Sequence, residues 1–433
     1  MRSFALSVVV VLATAAQAGE VVSVEDAVQR ALSRNAQVRA ARERVAAAED
    51  GSRSVRGQLL PALALSDELQ HYSGPFQVQL MIPGAPAAAA PSLTVRDQNT
   101  NSFVVSAKQP VVGLLRTSQE LMAANENADA AAFQAGNLER SVKEAVELGF
   151  LRLYEARAAR EVARSSQVQL AEQLTVTRAR VEAGALTTAD VLRLEVARAN
   201  IAQQELQAGV QESAARIALL TLLDFPLDAE VDFAAPTALE ASAEQPAPAL
   251  ADATGAAMES RLDLKQQVRL LDGAESTARA RLFALLPEVD LTATYVRIDG
   301  QALAQQNAAS IGVRASWPVW LWGTQWYAHR AAVHQAEAQR LLSEETGRQV
   351  RGEVTGRLDQ LRAATAAIDV AQTALTSAEE AYRVTAAVVQ AGSGTTTDLL
   401  DAQSALTQAK LNLVRSKYQR ALAWVQLQRA MGK

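Results

Sequence analysis

Arg180-Val-Glu-Ala-Gly184-Ala-Leu-Thr187-Thr-Ala-Asp190-Val-Leu192 and Val388-Val-Gln-Ala-Gly392-Ser-Gly-Thr395-Thr-Thr-Asp398-Leu-Leu400 are one motif written twice in a chain of 433 residues. The offset is 392 − 184 = 208. The same offset aligns Ser102-Phe-Val-Val105 with Ser310-Ile-Gly-Val313, and Gln109-Pro110-Val111 with Trp317-Pro318-Val319. Upstream, Leu59-Leu-Pro61 aligns with Leu285-Leu-Pro287 at 287 − 61 = 226, so the first copy carries extra residues between its two prolines. They fall in 72–101, where Gly74-Pro75, Pro83-Gly84 and an Ala/Pro run read as a long surface loop. Self-similarity at this spacing marks a tandem duplication.

Each copy follows one plan. A moderate helix (24–58; 254–286) ends before a proline, and two short strands separated by a loop follow. A second proline closes the strands, then a very long helix, a glycine-containing turn and a medium helix complete the unit. The expected domains are 19–223 and 251–433, joined by a proline-rich linker at 224–250.

The long helices weigh most. No proline interrupts 114–181 or 324–391, and at 1.5 Å per residue each rod reaches about 100 Å. Leu361, Ile368, Leu375, Tyr382 and Val389 recur every seven residues, with Ala364, Ala371, Ala378 and Thr385 as a row of small companions. In the last helix Leu399, Leu406, Leu413 and Leu427 pair with Ala402, Ala409, Ser416, Ala423 and Ala430. This is coiled-coil patterning with one row kept small so that helices lie close. Alanine also explains how 49% hydrophobic residues coexist with only 4% aromatics.

The strands alternate. Val289, Leu291, Ala293 and Tyr295 interleave with Asp290, Thr292 and Thr294, and Ile311, Val313, Ala315 and Trp317 with Gly312, Arg314 and Ser316. Such a pattern suits a strand between lipid and an aqueous lumen, and equally an ordinary half-buried strand. Trp317, Trp320, Trp322, Trp326 and Tyr327 cluster where the last strand meets the long helix, as an interfacial belt or as helix-packing aromatics.

Arg2 precedes an apolar run from Phe4 to Leu12, and Ala16-Gln17-Ala18 follows as a cleavage site. Residues 1–18 read as a secretory signal peptide. No later segment is apolar for long enough to cross a bilayer as a helix. The chain has no cysteine, which excludes disulfides, thiolate metal sites and a lipid-modified N-terminal cysteine. A net charge of −5 offers no basic footprint, so no nucleic-acid partner is expected.

Over nearly its whole mature length the chain resembles the TolC-like outer-membrane efflux proteins. The resemblance rests on the duplication, the Leu-Leu-Pro and Gln-Pro/Trp-Pro strand boundaries, and the Ala-Gly…Thr…Asp-x-Leu turns. It implies a mainly α fold with four β-strands per protomer, closing as a homotrimer with a twelve-stranded membrane barrel above a coiled-coil α-barrel. It further implies an outer-membrane exit duct with a periplasmic helical domain. Its partners would be outer-membrane lipid, a periplasmic adaptor of the membrane-fusion type and an inner-membrane pump of RND or ABC type. The bottom-up reading supports oligomerisation, because four strands cannot close a barrel and an open edge in lipid is forbidden.

Thr187 with Asp190, and Thr395 with Asp398, read as capping boxes that open the following helices. Asp401 matches Arg193 in the first copy (401 − 208 = 193), so an acid there belongs to one copy only. Either it is solvated or it projects into a pore. The segment from Gly392 to Ala402 is similar to the one that lines the inner aperture of such ducts, which points to Asp398 and Asp401 as aperture residues. The turns with Gly184, Thr187, Gly392 and Thr395 are the expected adaptor-docking tips. No catalytic or metal constellation is visible, and no cofactor or enzyme activity is expected. His329 and His334 are five apart, which is not a shared-face ligand pair, and His71 stands alone. The alternative reading is a soluble periplasmic coiled-coil adaptor or scaffold, which explains the helices but not the strand pairs between prolines.

Overall fold

The computed structural model describes residues 20–80 and 91–433, so the signal peptide read at 1–18 lies outside the described residues. The first copy holds β1 (Glu20–Val22), α1 (Val24–Arg34), α2 (Ala36–Gly57), β2 (Ala62–His71), β3 (Phe76–Gln79), β4 (Ser92–Pro110), α3 (Gly113–Glu182) and α4 (Thr188–Leu222). Next come β5 (Val231–Phe233) and α5 (Thr237–Ala243). The second copy holds α6 (Leu250–Ser260), α7 (Leu262–Phe283), β6 (Glu288–Gln301), β7 (Asn307–Ser316), α8 (Thr324–Gln390) and α9 (Thr396–Ala430). The helices α4 and α9 begin and end 208 residues apart at both ends (396 − 188; 430 − 222).

Contacts divide the chain into two units. One comprises Met1–Ala40, Gly136–Arg261 and Gln349–Lys433; the other comprises Ala41–Ala135 and Leu262–Arg348.

The first unit is helical. Its core joins Val142, Val146, Phe150 and Leu153 of α3 to Leu219, Leu220 and Leu223, with Ala27 and Ala31 of α1 closing one side. A Cβ on Gly149 would stand 2.6 Å from Leu219 Cδ2, so glycine there permits the close approach of α3 and α4. The heptad read along α8 is seen as its inward stripe: Leu361, Ala371 and Val389 are buried, and Ile368, Leu375 and Tyr382 half-buried. Leu399, Leu406, Ala409, Ala423 and Leu427 do the same for α9.

Three expectations are corrected here. The moderate helix of each copy is two helices. Asn35 interrupts the first with extended backbone, its Oδ1 accepting from the backbone N–H of Gln37 at 2.9 Å and so capping α2. Arg261 interrupts the second in the same conformation, and 261 − 35 = 226, the upstream offset of the duplication. Neither break carries glycine or proline, so the helical period runs straight across it in sequence. Both break residues clamp the C-terminus of the copy's last helix. Asn35 Nδ2 donates to the Leu222 carbonyl at 3.4 Å, and Arg261 Nη1 donates to the Ala430 carbonyl at 3.2 Å, equivalent positions (430 − 208 = 222). These carbonyls have no acceptor role inside the helix, which is why a side chain is needed there.

Second, the linker at 224–250 carries structure. β5 pairs in parallel with β1, from Glu20↔Val231 to Val22↔Phe233, and α5 follows. Proline punctuation hid a strand of three residues. Third, the loop read at 72–101 is partly strand, because β3 pairs with the first residues of β4 (Gln77↔Thr94; Gln79↔Ser92). Residues 81–90 of that loop lie outside the described residues.

The second unit carries an antiparallel sheet in the order β2-β4-β6-β7, with β3 pairing to β4 beyond β2. β2 and β6 each begin one residue after the Leu-Leu-Pro boundary, where proline can no longer continue a helix. The β4–β6 pair, for example Val105↔Tyr295, joins the two copies into one sheet.

Candidate functional site: an outward apolar sheet and two hairpin turns

Register assigns every strand residue to one face. Leu65, Val105, Tyr295 and Ala309 form one cross-strand row, and Leu63, Ala107, Ala293 and Ile311 the next. These rows lie on one apolar face. On the opposite face the corresponding rows are Ala64, Ser106, Thr294 and Ser310, then Ala62, Lys108, Thr292 and Gly312. The polar face also holds an ion pair, Lys108 Nζ to Asp290 Oδ2 at 2.8 Å. Both faces of the sheet are open in the single copy, and the apolar one leaves large side chains uncovered: Leu63 is 79% accessible, Ile311 82% and Val313 71%. Water penalises such a surface by roughly 25 cal/mol per Å², so an uncovered apolar sheet face of this kind calls for a non-aqueous neighbour.

The edges add a second requirement. β2 and β7 are the outer strands of a four-strand antiparallel path, so they run in opposite directions. A further copy placed edge to edge would therefore continue the antiparallel alternation, and closure of the row of copies would remove both edges. The aromatic cluster sits at one end of this sheet and is exposed throughout, with Trp322 at 83%. Exposed rings at the end of a sheet suit an interfacial belt.

The turns lie in the helical unit. Gly184 (φ +75°) and Gly392 (φ +82°) take the left-handed conformation that ends α3 and α8. Ala185 N–H donates to the Arg180 carbonyl at 2.9 Å, and Ser393 N–H to the Val388 carbonyl at 3.1 Å, the reach-back bonds of such a C-terminus. Both capping boxes are present. Thr187 N–H donates to Asp190 Oδ2 at 3.0 Å, and Thr395 N–H to Asp398 Oδ2 at 3.1 Å. The Asp398 N–H returns a bond to Thr395 Oγ1 at 3.1 Å. Hydrogen bonds from the Thr395 hydroxyl and then its N–H hold the Asp398 carboxyl below its ordinary value of 3.8. Those from Thr187 act likewise on Asp190, assisted by Arg193.

The copies part company one turn further on. In the first, Arg193 Nη1 stands 3.6 Å from Asp190 Oδ1 and donates to Thr397 Oγ1 of the second turn at 3.2 Å. In the second, Asp401 replaces that arginine and is exposed, as is Asp398. Three residues apart, the two carboxylates share the outward face of α9, while Leu399 and Gln403 point inward and are buried. One copy is locally neutral and the other doubly negative.

One residue was missed in sequence. Arg180 of α3 donates from Nη1 to the Val389 carbonyl at 3.1 Å and from Nη2 to the Gln390 carbonyl at 3.3 Å, joining the end of the first hairpin to that of the second. Its signal was an asymmetry: 180 + 208 = 388, where the second copy has valine.

Among the described residues no group of three His, Asp or Glu side chains converges as a metal site would require, and no helix is long and apolar enough to cross a membrane. His329 Nδ1 lies 3.1 Å from the Ala278 carbonyl, and His71 Nδ1 lies 2.7 Å from Asn99 Oδ1.

The family model described as outer membrane efflux protein matches residues 27–224 and 254–433. The outer membrane efflux protein BepC of Brucella suis biovar 1 (strain 1330) is 24% identical over 287 residues, covering 66% of this chain and 61% of BepC. The alkaline protease secretion protein AprF of Pseudomonas aeruginosa is 26% identical over 273 residues, covering 62% of this chain and 56% of AprF. The match thus spans less than two-thirds of either relative. Among solved structures, the outer membrane protein VceC of Vibrio cholerae superposes with a TM-score of 0.80 at 15% identity, covering 94% of this chain and 96% of VceC. At that identity the likeness shows the fold alone.

Proposed function

This chain belongs to the outer membrane efflux protein family, and on that premise we propose that it is an outer-membrane exit duct, a passive conduit for solutes leaving the periplasm. The observation that carries the reading is the sheet: an uncovered apolar face, a polar face with Ser106, Thr292, Thr294 and Ser310 opposite it, and two antiparallel free edges. Three copies give twelve strands, and the polar faces then enclose the lumen. The outer-membrane lipid covers the apolar face, with the tryptophans at its boundary.

The helical domain extends into the periplasm. Its turns at Gly184, Thr187, Gly392 and Thr395 are the surface offered to a periplasmic adaptor, which couples the duct to an inner-membrane pump of RND or ABC type. Asp398 and Asp401 of each copy gather at the periplasmic aperture. A carboxylate ring there raises the local concentration of cations.

The chain's lack of cysteine makes the test direct. Single cysteines at Leu291 and Thr292, neighbours on opposite faces of β6, are exposed to a small hydrophilic thiol reagent in outer membranes. Thr292→Cys reacts and Leu291→Cys reacts poorly. Equal reaction at both positions, or extraction of the protein by alkali, returns the chain to the class of soluble periplasmic scaffolds.

A further inference from the structure

Charge on the polar face of the sheet is unevenly matched. Over the regular rows this face carries Glu68, Lys108, Glu288, Asp290 and Arg314. Four of them lie at the end where β7 gives way to Trp317 and Pro318. Glu68 is remote, because its row, Glu68↔Ser102↔Ile298, stands 298 − 290 = 8 residues from Asp290, about 26 Å along the strands.

At the Trp317 end each carboxylate of the sheet has a cation, and one cation has no carboxylate. Lys108 Nζ holds Asp290 Oδ2 at 2.8 Å, and Arg116 Nη1 of α3 reaches Glu288 Oε1 at 3.4 Å. Arg116 also lies 3.6 Å from Glu120. Arg314 is opposite Asp290 in the β6–β7 ladder, yet it is exposed and enters no ion pair or side-chain hydrogen bond among the described residues. Its strand neighbours on the same face are Gly312 and Ser316, and a Cβ at Gly312 would meet only Thr292 Oγ1, at 3.8 Å. The wall beside the guanidinium is therefore bare, and its N–H donors are unused.

A neighbouring copy does not supply the missing acid either. Strands β2 and β7 are each 10 residues long. Antiparallel edge pairing over that whole length, from 307 with 71 to 316 with 62, sets Arg314 opposite Ala64 and Glu68 opposite Ser310. The two charges then stand 314 − 310 = 4 residues apart, about 13 Å and beyond ion-pair reach.

We propose that Arg314 forms a cationic collar in the lumen, one guanidinium per copy, which binds the anionic groups of solutes in transit: carboxylates, sulfonates or phosphates. The inference rests on the duct reading, in which the polar face lines the lumen, and it adds a class of solute to that reading. A guanidinium takes such groups through paired N–H donors and not only as a point charge. Ser316 and Thr292 add hydroxyls on the same face. Low-dielectric walls concentrate the field of a collar of one sign. The collar is opposite in sign to Asp398 and Asp401, so a solute carrying both charges finds a favourable field at each.

Full-length parent, Arg314→Gln and Arg314→Lys channels are compared in planar bilayers, with inorganic tripolyphosphate added to each side in turn. Tripolyphosphate blocks the parent. The half-blocking concentration rises about tenfold in Arg314→Gln and about threefold in Arg314→Lys, which keeps the charge and loses the paired donors. The parent's block weakens between about 0.1 M and about 1 M salt, as the screening length falls from about 10 Å to about 3 Å. Because the chain has no cysteine of its own, Arg314→Cys can be modified in channels that have already assembled. Its block is weak, returns when a cationic thiosulfonate is attached, and stays weak after an anionic one. Conducting channels with equal block in the parent and Arg314→Gln, or equal block after both modifications of Arg314→Cys, overturn the collar and leave the duct reading standing. A parent that forms no conducting channel overturns both.

Discussion

The sheet unit and the helical unit use apolar residues in opposite senses. In α8 the heptad leucines turn inward, and Leu358 and Leu361 are each 1% accessible. In β2 the alternate leucines turn outward, and Leu65 is 69% accessible. Periodicity alone describes both, since a period of 3.5 and a period of two each define one apolar face. What differs is the medium that the face meets. The inward leucines of α8 find their partners within the chain, and the sheet finds its partner in something that is not water.

The sharpest way to break this contrast is to place a charge on each face of the sheet. Leu65→Arg puts a guanidinium in the middle of the apolar face. A cationic side chain on the lipid face of a membrane barrel costs about 2–4 kcal/mol near the bilayer midplane. With three copies per assembly, the variant should fail to appear as a heat-modifiable oligomer in the outer membrane. Ser106→Arg, on the polar face beside Ala64, should assemble as the parent does. In the helices the sense reverses: Leu358→Ala should lower stability by about 2–5 kcal/mol by leaving a cavity, whereas Leu65→Ala leaves none. Equal assembly of Leu65→Arg and Ser106→Arg would mean that the apolar face does not meet lipid.

A smaller effect is expected at the turns. Adding a Cβ at Gly184 or Gly392 meets no atom within 4 Å, so sterics from neighbours are absent and only the left-handed backbone matters. Gly392→Ala should cost about 1–2 kcal/mol for holding alanine in that conformation, read as a lowered melting temperature with the oligomer intact. Larger replacements at Gly184 or Gly392 together with neighbouring tip residues should abolish export while the oligomer persists. Normal export from an intact oligomer would move adaptor contact away from the tips.

Much of this organisation was legible in the sequence because the chain says it twice. The turns, both pairs of strand boundaries and both long helices follow from matching the copies. The register that faces Leu65 outward was half legible. Alternation set which residues share a face, but a period of two is blind to whether that face meets a core or a lipid. The breaks at Asn35 and Arg261 were not legible, since they are specified by carbonyls 187 and 169 residues away in sequence, at Leu222 and Ala430. The Arg180 contact was hidden for the same reason, although its mismatch with Val388 was in plain view. Tertiary clamps of this kind leave no local period behind.

The finest test of the contrast concerns charge where the copies differ. The first hairpin balances Asp190 with Arg193, and the second stacks Asp398 and Asp401 on one exposed face. Capping accounts for Asp398 by itself: bonds from Thr395 hold its pKa below 3.8, so this group favours the folded turn above that value. The contribution is lost as pH falls through the depressed folded pKa, and turn stability should therefore be flat at neutral pH and decline only in strong acid. Nothing in the cap requires Asp401. Gathered by threefold symmetry, the two carboxylates per copy would concentrate negative potential in a narrow throat, where counter-ions accumulate. In a planar bilayer, Asp398→Asn with Asp401→Asn should shift the reversal potential away from cation preference and weaken block by multivalent cations. Asp401→Asn alone should give part of that shift with the cap intact, because Thr395 and Asp398 remain. An unchanged reversal potential and unchanged block in the double variant would make Asp401 a solvated surface acid, and would leave the asymmetry between the copies to the Arg193–Thr397 and Arg180 contacts.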